Sequence, residues 1–284
     1  VGDGVDWLTE TKIPIGNWAS DIVDWLTDNG AVFFDGLSVA LEAIIDALLW
    51  ILQTPPPLAL VGFLVILSWF LRKSAAFTGF VLGGLLLIIN QGYWEETTET
   101  LALVLAASTV CMAVGVPIGI AAAHRPRLYA FLRPILDLMQ TLPSFVYLIP
   151  AIVFFGIGMV PGLIATAIFV VPAPIRLTHL GVSSTPKPLI EAGEAFGATG
   201  SQLLWKVELP YAMPQIMAGL TQTIMLSLSM VVIAALVGAD GLGVPVVRAL
   251  NTVNIAQGFE AGFVIVLVAI ILDRFLRQSE PKGR

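Results

Sequence analysis

Cysteine is all but missing from this chain. Cys111 stands alone in an apolar run, which leaves no partner for an internal disulfide and no cysteine cluster for a metal, so it reads as a small core residue. Histidine is nearly as scarce. His124 and His179 lack the i, i+4 spacing and the neighbouring acids of a zinc site and read as interfacial residues. No G-x-x-x-x-G-K-[ST] loop occurs, which excludes ATP hydrolysis by that route, and no Ser, His and Asp constellation marks an enzyme. Charge is thin: 12% of residues are charged, against about a quarter in soluble proteins. The net charge is −6 and no basic stretch is long enough to track phosphates, so nucleic acid is excluded as a partner. The apolar stretches 143–160 and 211–238 hold no acidic or basic residue, which weakens the case for an ion-gradient transporter with a relay in its spans. A path without fixed charge suits a zwitterion or a small dipolar ammonium compound.

Apolar residues fill that space. With 57% hydrophobic residues the chain reads as an all-α polytopic membrane protein. A hydrocarbon core of about 30 Å takes about 20 residues, and seven stretches suit it: 57–71, 75–93, 98–123, 143–160, 162–181, 211–238 and 260–277. Residues 1–54 form a separate acidic segment. Within 36–52, Glu42 and Asp46 share a face opposite Leu41, Ile44, Ile45, Leu48 and Leu49, as in a helix lying in the interface, while 32–52 also reads as a span carrying two carboxylates. Trp7, Trp18, Trp25 and Trp50 suit headgroup depth, and prolines 55–57 close the segment. Val1 opens an acidic stretch where a secretory signal needs a basic start, so no cleavable signal is expected and the terminus reads as processed or trimmed.

The polar stretch 185–210, TPKPLIEAGEAFGATGSQLLWKVELP, interrupts this pattern. It reads as two short amphipathic helices hinged at a glycine. Thr185 is the expected cap of the first, with Pro186 in its opening turn. Leu189, Ala192, Gly193 and Phe196 then share one face, beside Glu191 and Glu194. Gly197 supplies the left-handed stop, Ser201 caps the second helix, and Pro210 suits the first turn of the next membrane helix. If this loop faces the cytoplasm, alternation puts twelve of the fourteen Lys and Arg residues on the same side and fourteen of the twenty acids on the other, as the positive-inside rule requires. The amino end is then outside and the carboxyl end inside.

Three further features bear on the path. The pairs Gly79/Gly83, Gly115/Gly119 and Gly158/Gly162 have the spacing of close helix packing. Pro134, Pro143 and Pro150 either interrupt helices, freeing carbonyls toward a cavity, or sit at ordinary helix starts. Phe145, Tyr147, Phe154 and Phe155 are candidates for holding a quaternary ammonium by cation–π attraction, or are core and lipid-facing rings. The outer loop 238–262 has turn glycines and a short helix, as a docking surface or an ordinary connection.

Glu191-Ala192-Gly193, Gly197 and Val207-x-Leu209-Pro210 resemble the EAA loop of the membrane subunits of ATP-driven, binding-protein-dependent importers, with Gly193 where that pattern has alanine. MQTLPSFVYLIP at 139–150, VVPAPIRLT at 170–178 and EAFGATGSQLLWKVELPYAMPQIMAG at 194–219 are similar to permeases of the glycine betaine and proline betaine branch, whose relatives carry choline or trimethylamine N-oxide. The resemblance implies a type I ABC importer permease core over 94–278, two accessory membrane helices in 55–93 and a cytoplasmic tail at 279–284. It implies Glu191, Ala192, Gly193, Phe196, Gly197, Val207, Leu209 and Pro210 as the coupling loop for an ATPase, and Met139, Pro143, Phe145, Tyr147, Pro150, Pro172 and Pro174 along the path. It also implies a permease homodimer in the bacterial inner membrane, two ATPase subunits that use ATP and Mg, and an external binding protein; no cofactor is expected on this chain. A permease for another small solute such as an amino acid, and an ion-gradient transporter or channel, are the alternatives.

Overall fold

The computed structural model describes residues 14–276, which form thirteen α-helices and one π-helical turn. Trp7 and the tail at 279–284 lie outside the described residues. Helix α1, Ile15–Gln53, runs for 39 residues because nothing between Pro14 and Pro55 denies it an amide, so the helix expected at 36–52 is the last part of a longer one. Its facial pattern is as read: Leu41 and Ile45 are buried, and Glu42 and Asp46 are exposed. Trp18, Trp25 and Trp50 are exposed too.

Helices α2 (Pro57–Arg72) and α3 (Ala75–Asn90) form an apolar pair of sixteen residues each. Helix α4, Trp94–His124, is a long span. Next, α5 (Pro126–Thr141) and α6 (Phe145–Phe155) meet at a 96° bend. Pro143 occupies that break, whereas Pro134 and Pro150 lie inside helices. The expected pass 143–160 is therefore too long at its end: Gly156 at φ +75° and Gly158 at φ +147° turn the chain, with Gly158 N–H bonded to Val237 O. Helices α7 (Met159–Val170) and α8 (Pro172–Ser183) together make one span.

After the polar loop come α11 (Leu209–Ala235), the short helix α12 (Gly243–Thr252) and α13 (Ile255–Leu276). Of the seven passes read from the sequence, four are long and apolar enough to cross a membrane alone, the bent α5–α6 pair is a fifth, and α2 and α3 are shorter. Helix α1 is not among those candidate spans. Its contacts run from Gln53, which donates to Thr98 Oγ1 at 3.0 Å, to Phe34, whose ring stacks on Phe154 at 4.3 Å. It thus leans across α4, α7 and the end of α6, with Leu41 and Ile45 in one cluster with Leu103, Leu163 and Ala234.

Helices α4, α8 and α11 form the dense centre. An added Cβ on Gly115 would meet Pro174 Cγ at 2.8 Å, and one on Gly119 would meet Thr178 Cβ at 2.6 Å and Ile175 O at 2.8 Å. Gly181 does the same between α8 and α11, against Gln215 and Ala212. The Gly115/Gly119 pair therefore packs as expected. Gly79 and Gly83 do not: nothing lies within 4 Å of their missing methyls, and the α3 contact is made by Gly84 on the next face. Toward the start of α4, Leu242 N–H donates to Thr100 Oγ1 at 2.8 Å, which fastens the start of α12 over α4.

Candidate functional site: the hinged loop between two spans

Helix α9, Lys187–Ala195, opens after an extended Pro186 and carries Pro188 in its first turn. Thr185 does not cap it. Pro186 takes the cap position and Pro188 removes one of the amides a capping hydroxyl would bond, so Thr185 Oγ1 is buried without a partner. The far end is a Schellman stop: Gly197 sits at φ +78°, its N–H bonds Glu194 O at 2.8 Å, and Ala198 N–H bonds Gly193 O at 3.1 Å.

The second helix, α10 (Gly200–Leu203), is capped by Thr199 and not by Ser201. Gln202 is the reason. Its N–H donates to Thr199 Oγ1 at 3.4 Å while its side-chain oxygen accepts from Thr199 N–H at 2.9 Å, a reciprocal pair that Ser201 has no acid or amide three residues on to match. A π turn, Leu204–Glu208, then runs without a break into α11, where Pro210 occupies the first turn. Loop and span are one helical run from Gly200 to Ala235.

Gly193 holds this elbow together from within. A methyl there would meet Leu203 Cδ2 at 2.5 Å, so the absent side chain lets α9 cross α10, and Gly193 belongs to the internal seam and not to an outward face. The outward face is Leu189, Glu191, Ala192, Glu194 and Phe196, all exposed, with the Phe196 ring 93% accessible. Beside it lies a shallow cleft of about 390 Å³ lined by Gly193, Phe196, Gly197, Ala198, Gln202, Lys206 and Val207. Leu209 is buried at its root and Pro210 is exposed. A bare aromatic ring above a small cleft, on a segment fixed at both ends, is what a docking partner needs.

The elbow has supports that the sequence did not reveal. His124, at the end of α4, places Nε2 2.9 Å from Glu208 Oε2 and Nδ1 3.0 Å from Ile120 O. It has an acidic partner after all, 84 positions away. Nearby, the His179 ring stacks on Tyr129 at 3.6 Å, and Arg176 donates to Asp137 at 2.6 Å and to Gln140 at 3.2 Å, binding α5 to α8. No group of three or more metal-binding side chains occurs among the described residues.

The residues assigned to the path are spread through the packing. Tyr147 is buried and its hydroxyl donates to Met139 O; Pro172 and Pro174 are buried, the latter against Gly115. Pro143 and Phe145 are exposed, and Met139 and Pro150 are half-buried. Phe154 and Phe155 are half-buried and engaged by Phe34 of α1, by stacking and edge-on contact respectively. At the other end of α4 a cavity of about 250 Å³ is lined by Glu95, Glu96, Glu99, Asp240 and Arg248, with Tyr93 and Gln257. Burial, with Glu260 and Glu96 adding to it, raises the Tyr93 hydroxyl above its ordinary pKa.

Residues 115–284 match the family described as binding-protein-dependent transport system inner membrane component. The glycine betaine transport system permease protein OpuAB of Bacillus subtilis is 46% identical over 96% of each chain. The glycine betaine/proline betaine transport system permease protein ProW of Escherichia coli is 41% identical, over 99% of this chain and 85% of its own. The trimethylamine N-oxide transport system permease protein TmoV of Ruegeria pomeroyi is 32% identical over 92% of this chain and 41% of its own. Among solved structures, an inward-facing form of the MetNI methionine ABC transporter matches with a TM-score of 0.55 at 24% identity, covering 63% of this chain and 94% of the other.

Proposed function

We propose a function on the premise that this chain belongs to the family of binding-protein-dependent transport system inner membrane components. It is the permease subunit of an ATP-driven importer, and its cargo is a small quaternary-ammonium or related osmolyte of the class of glycine betaine, proline betaine, choline and trimethylamine N-oxide. The names carried by its relatives support that class. Two copies of the chain pair in the bacterial inner membrane, with the amino end outside and the carboxyl end in the cytoplasm. Two ATPase subunits, which use ATP and Mg, grip the two elbows; a binding protein delivers cargo at the outer loop 238–262. No catalysis occurs on this chain.

The observation that carries the reading is the elbow itself. Phe196 stands 93% accessible at the end of α9, which a Schellman turn links to the capping box of α10, and α10 continues without a joint into α11. A force applied at Phe196 therefore acts on a helical run of 36 residues, roughly 54 Å at 1.5 Å per residue. Closure of the ATPase pair on ATP would swing α8 and α11, the helices on either side of the elbow, from inward to outward opening.

Phe196→Asp tests this, since an exposed ring can be replaced without emptying the core. The ATPase subunit is expected to bind about thirtyfold more weakly, the loss of an interface hot spot, with membrane insertion unchanged. Undiminished co-purification refutes the assignment. Uptake of radiolabelled glycine betaine into vesicles separates the mechanisms: dependence on internal ATP with ion gradients collapsed supports the importer, and dependence on the gradients overturns it.

A further inference from the structure

The elbow meets the rest of the chain at few places. It continues into α11, joins α8 through Pro186, and touches the end of α4 through the π turn. There Leu204 packs beside Ile120 and Ala123, and Glu208 reaches His124. A π turn holds one residue more than an α turn, which rotates the succeeding helix by about 100°. Glu208 ends that turn, and it is the open position of the pattern Val207-x-Leu209-Pro210.

The environment of the pair is asymmetric. The Glu208 side chain is only 10% exposed, and the His124 side chain is 46% exposed. Glu208 has His124 as its hydrogen-bonding partner within the cytoplasmic packing. The ring sits between Ile120 O and Glu208 Oε2, so Nδ1 donates to the carbonyl and Nε2 faces the carboxyl group. The 2.9 Å separation of Nε2 and Oε2 is within hydrogen-bond reach. The pair of contacts fixes the ring, because both nitrogens are held.

The geometry points to His124 and Glu208 as a transmission strut: the contact through which movement of the elbow is passed to α4, in parallel with its direct passage into α11. This rests on the importer reading above. Without the strut, the elbow can still be gripped but its movement reaches α4 only through the packing of α4 on α8 and α11. Both are positioning residues, since neither touches cargo or nucleotide.

The test uses the complete transporter, permease with ATPase and binding protein, in liposomes, and reads glycine betaine taken up per ATP hydrolysed. His124→Phe keeps the ring's bulk and loses both bonds; Glu208→Leu removes the carboxylate. Each is expected to retain the ATPase subunit and its hydrolysis but to lower the transport ratio about fivefold, the scale of a modest coupling energy. The double variant should be no worse than either single one, because the two residues act through one contact. Glu208→Gln should restore most of the ratio, since its amide can donate to Nε2 of a ring that keeps its Nδ1 proton. An unchanged ratio in both single variants overturns the strut, as do losses that multiply in the double.

If the wild-type assembly binds no ATPase or moves no glycine betaine, the importer reading fails on its own account. Hydrogen exchange on the isolated permease then decides the strut. Glu208→Leu is expected to speed exchange in the last turn of α4 about tenfold while Gly197 and Ala198 keep their protection. Unaltered protection in that turn overturns it.

Discussion

Gly119 has no room for a methyl group. Ile175 O and Thr178 Cβ stand where it would go, so Gly119→Ala forces α4 away from α8 and is expected to cost about 1–3 kcal/mol, read as a lower melting temperature in detergent. Gly83→Ala is the control. Open space surrounds that position, and alanine favours the helix by roughly 1 kcal/mol, so the melting temperature should hold or rise. Both glycines have the same spacing motif, which is why sequence treats them alike. Which face of a helix meets a neighbour is tertiary information. Gly197 was legible for the opposite reason, since a helix stop at positive φ is a local demand that glycine meets best. Thr199 was readable too, through Gln202 three residues on, but a nearer-looking hydroxyl at Ser201 competed for the role. The bond between His124 and Glu208 was not legible, because a lone histidine and a lone acid 84 positions apart carry no spacing signal.

Helix α1 shows what periodicity does and does not supply at the scale of an element. The alternation of acids with Leu41 and Ile45 marked its buried face, whereas its full extent depended on the absence of prolines between 14 and 55. Ile45 is 2% exposed among Leu103, Leu163 and Ala234, so Ile45→Ala should cost about 2–4 kcal/mol in thermal unfolding. Asp46→Ala on the exposed face should change stability by less than about 0.5 kcal/mol. Equal losses at the two positions would mean that α1 does not lie as described. The turn between α6 and α7 was harder to see, because its glycines sit in an unbroken apolar run and composition alone joins the two helices.

For the whole molecule, the sidedness of the loops is set by where Lys and Arg fall, and one residue makes it easy to test. Cys111 is completely buried, so its thiol is shielded from reagents and the native chain serves as a silent background. A cysteine placed at exposed Lys206 should react with an impermeant maleimide only in inverted vesicles, and one at Arg248 only in right-side-out cells. Labelling at 206 from outside would reverse the topology. The apolar segments were legible in sequence; which of them are long enough to cross a membrane was not, since α2 ends at a left-handed Lys73 and α3 at Asn90 just before the Gly92 turn. Sixteen residues rise about 24 Å, some 6 Å less than a hydrocarbon layer of about 30 Å. Those two helices are pinned to α13 through Val61, Val81 and Leu85, so they cannot simply drift to a comfortable depth. If the pair crosses the membrane, the lipids around it must thin, and the strain grows by a fraction of a kcal/mol for each further ångström. Reconstituted in phosphatidylcholines of increasing acyl length, the protein should melt at progressively lower temperatures, with this corner giving way first; a flat series would show that the misfit is relieved elsewhere. Membrane thickness then becomes a quantity to which this permease responds.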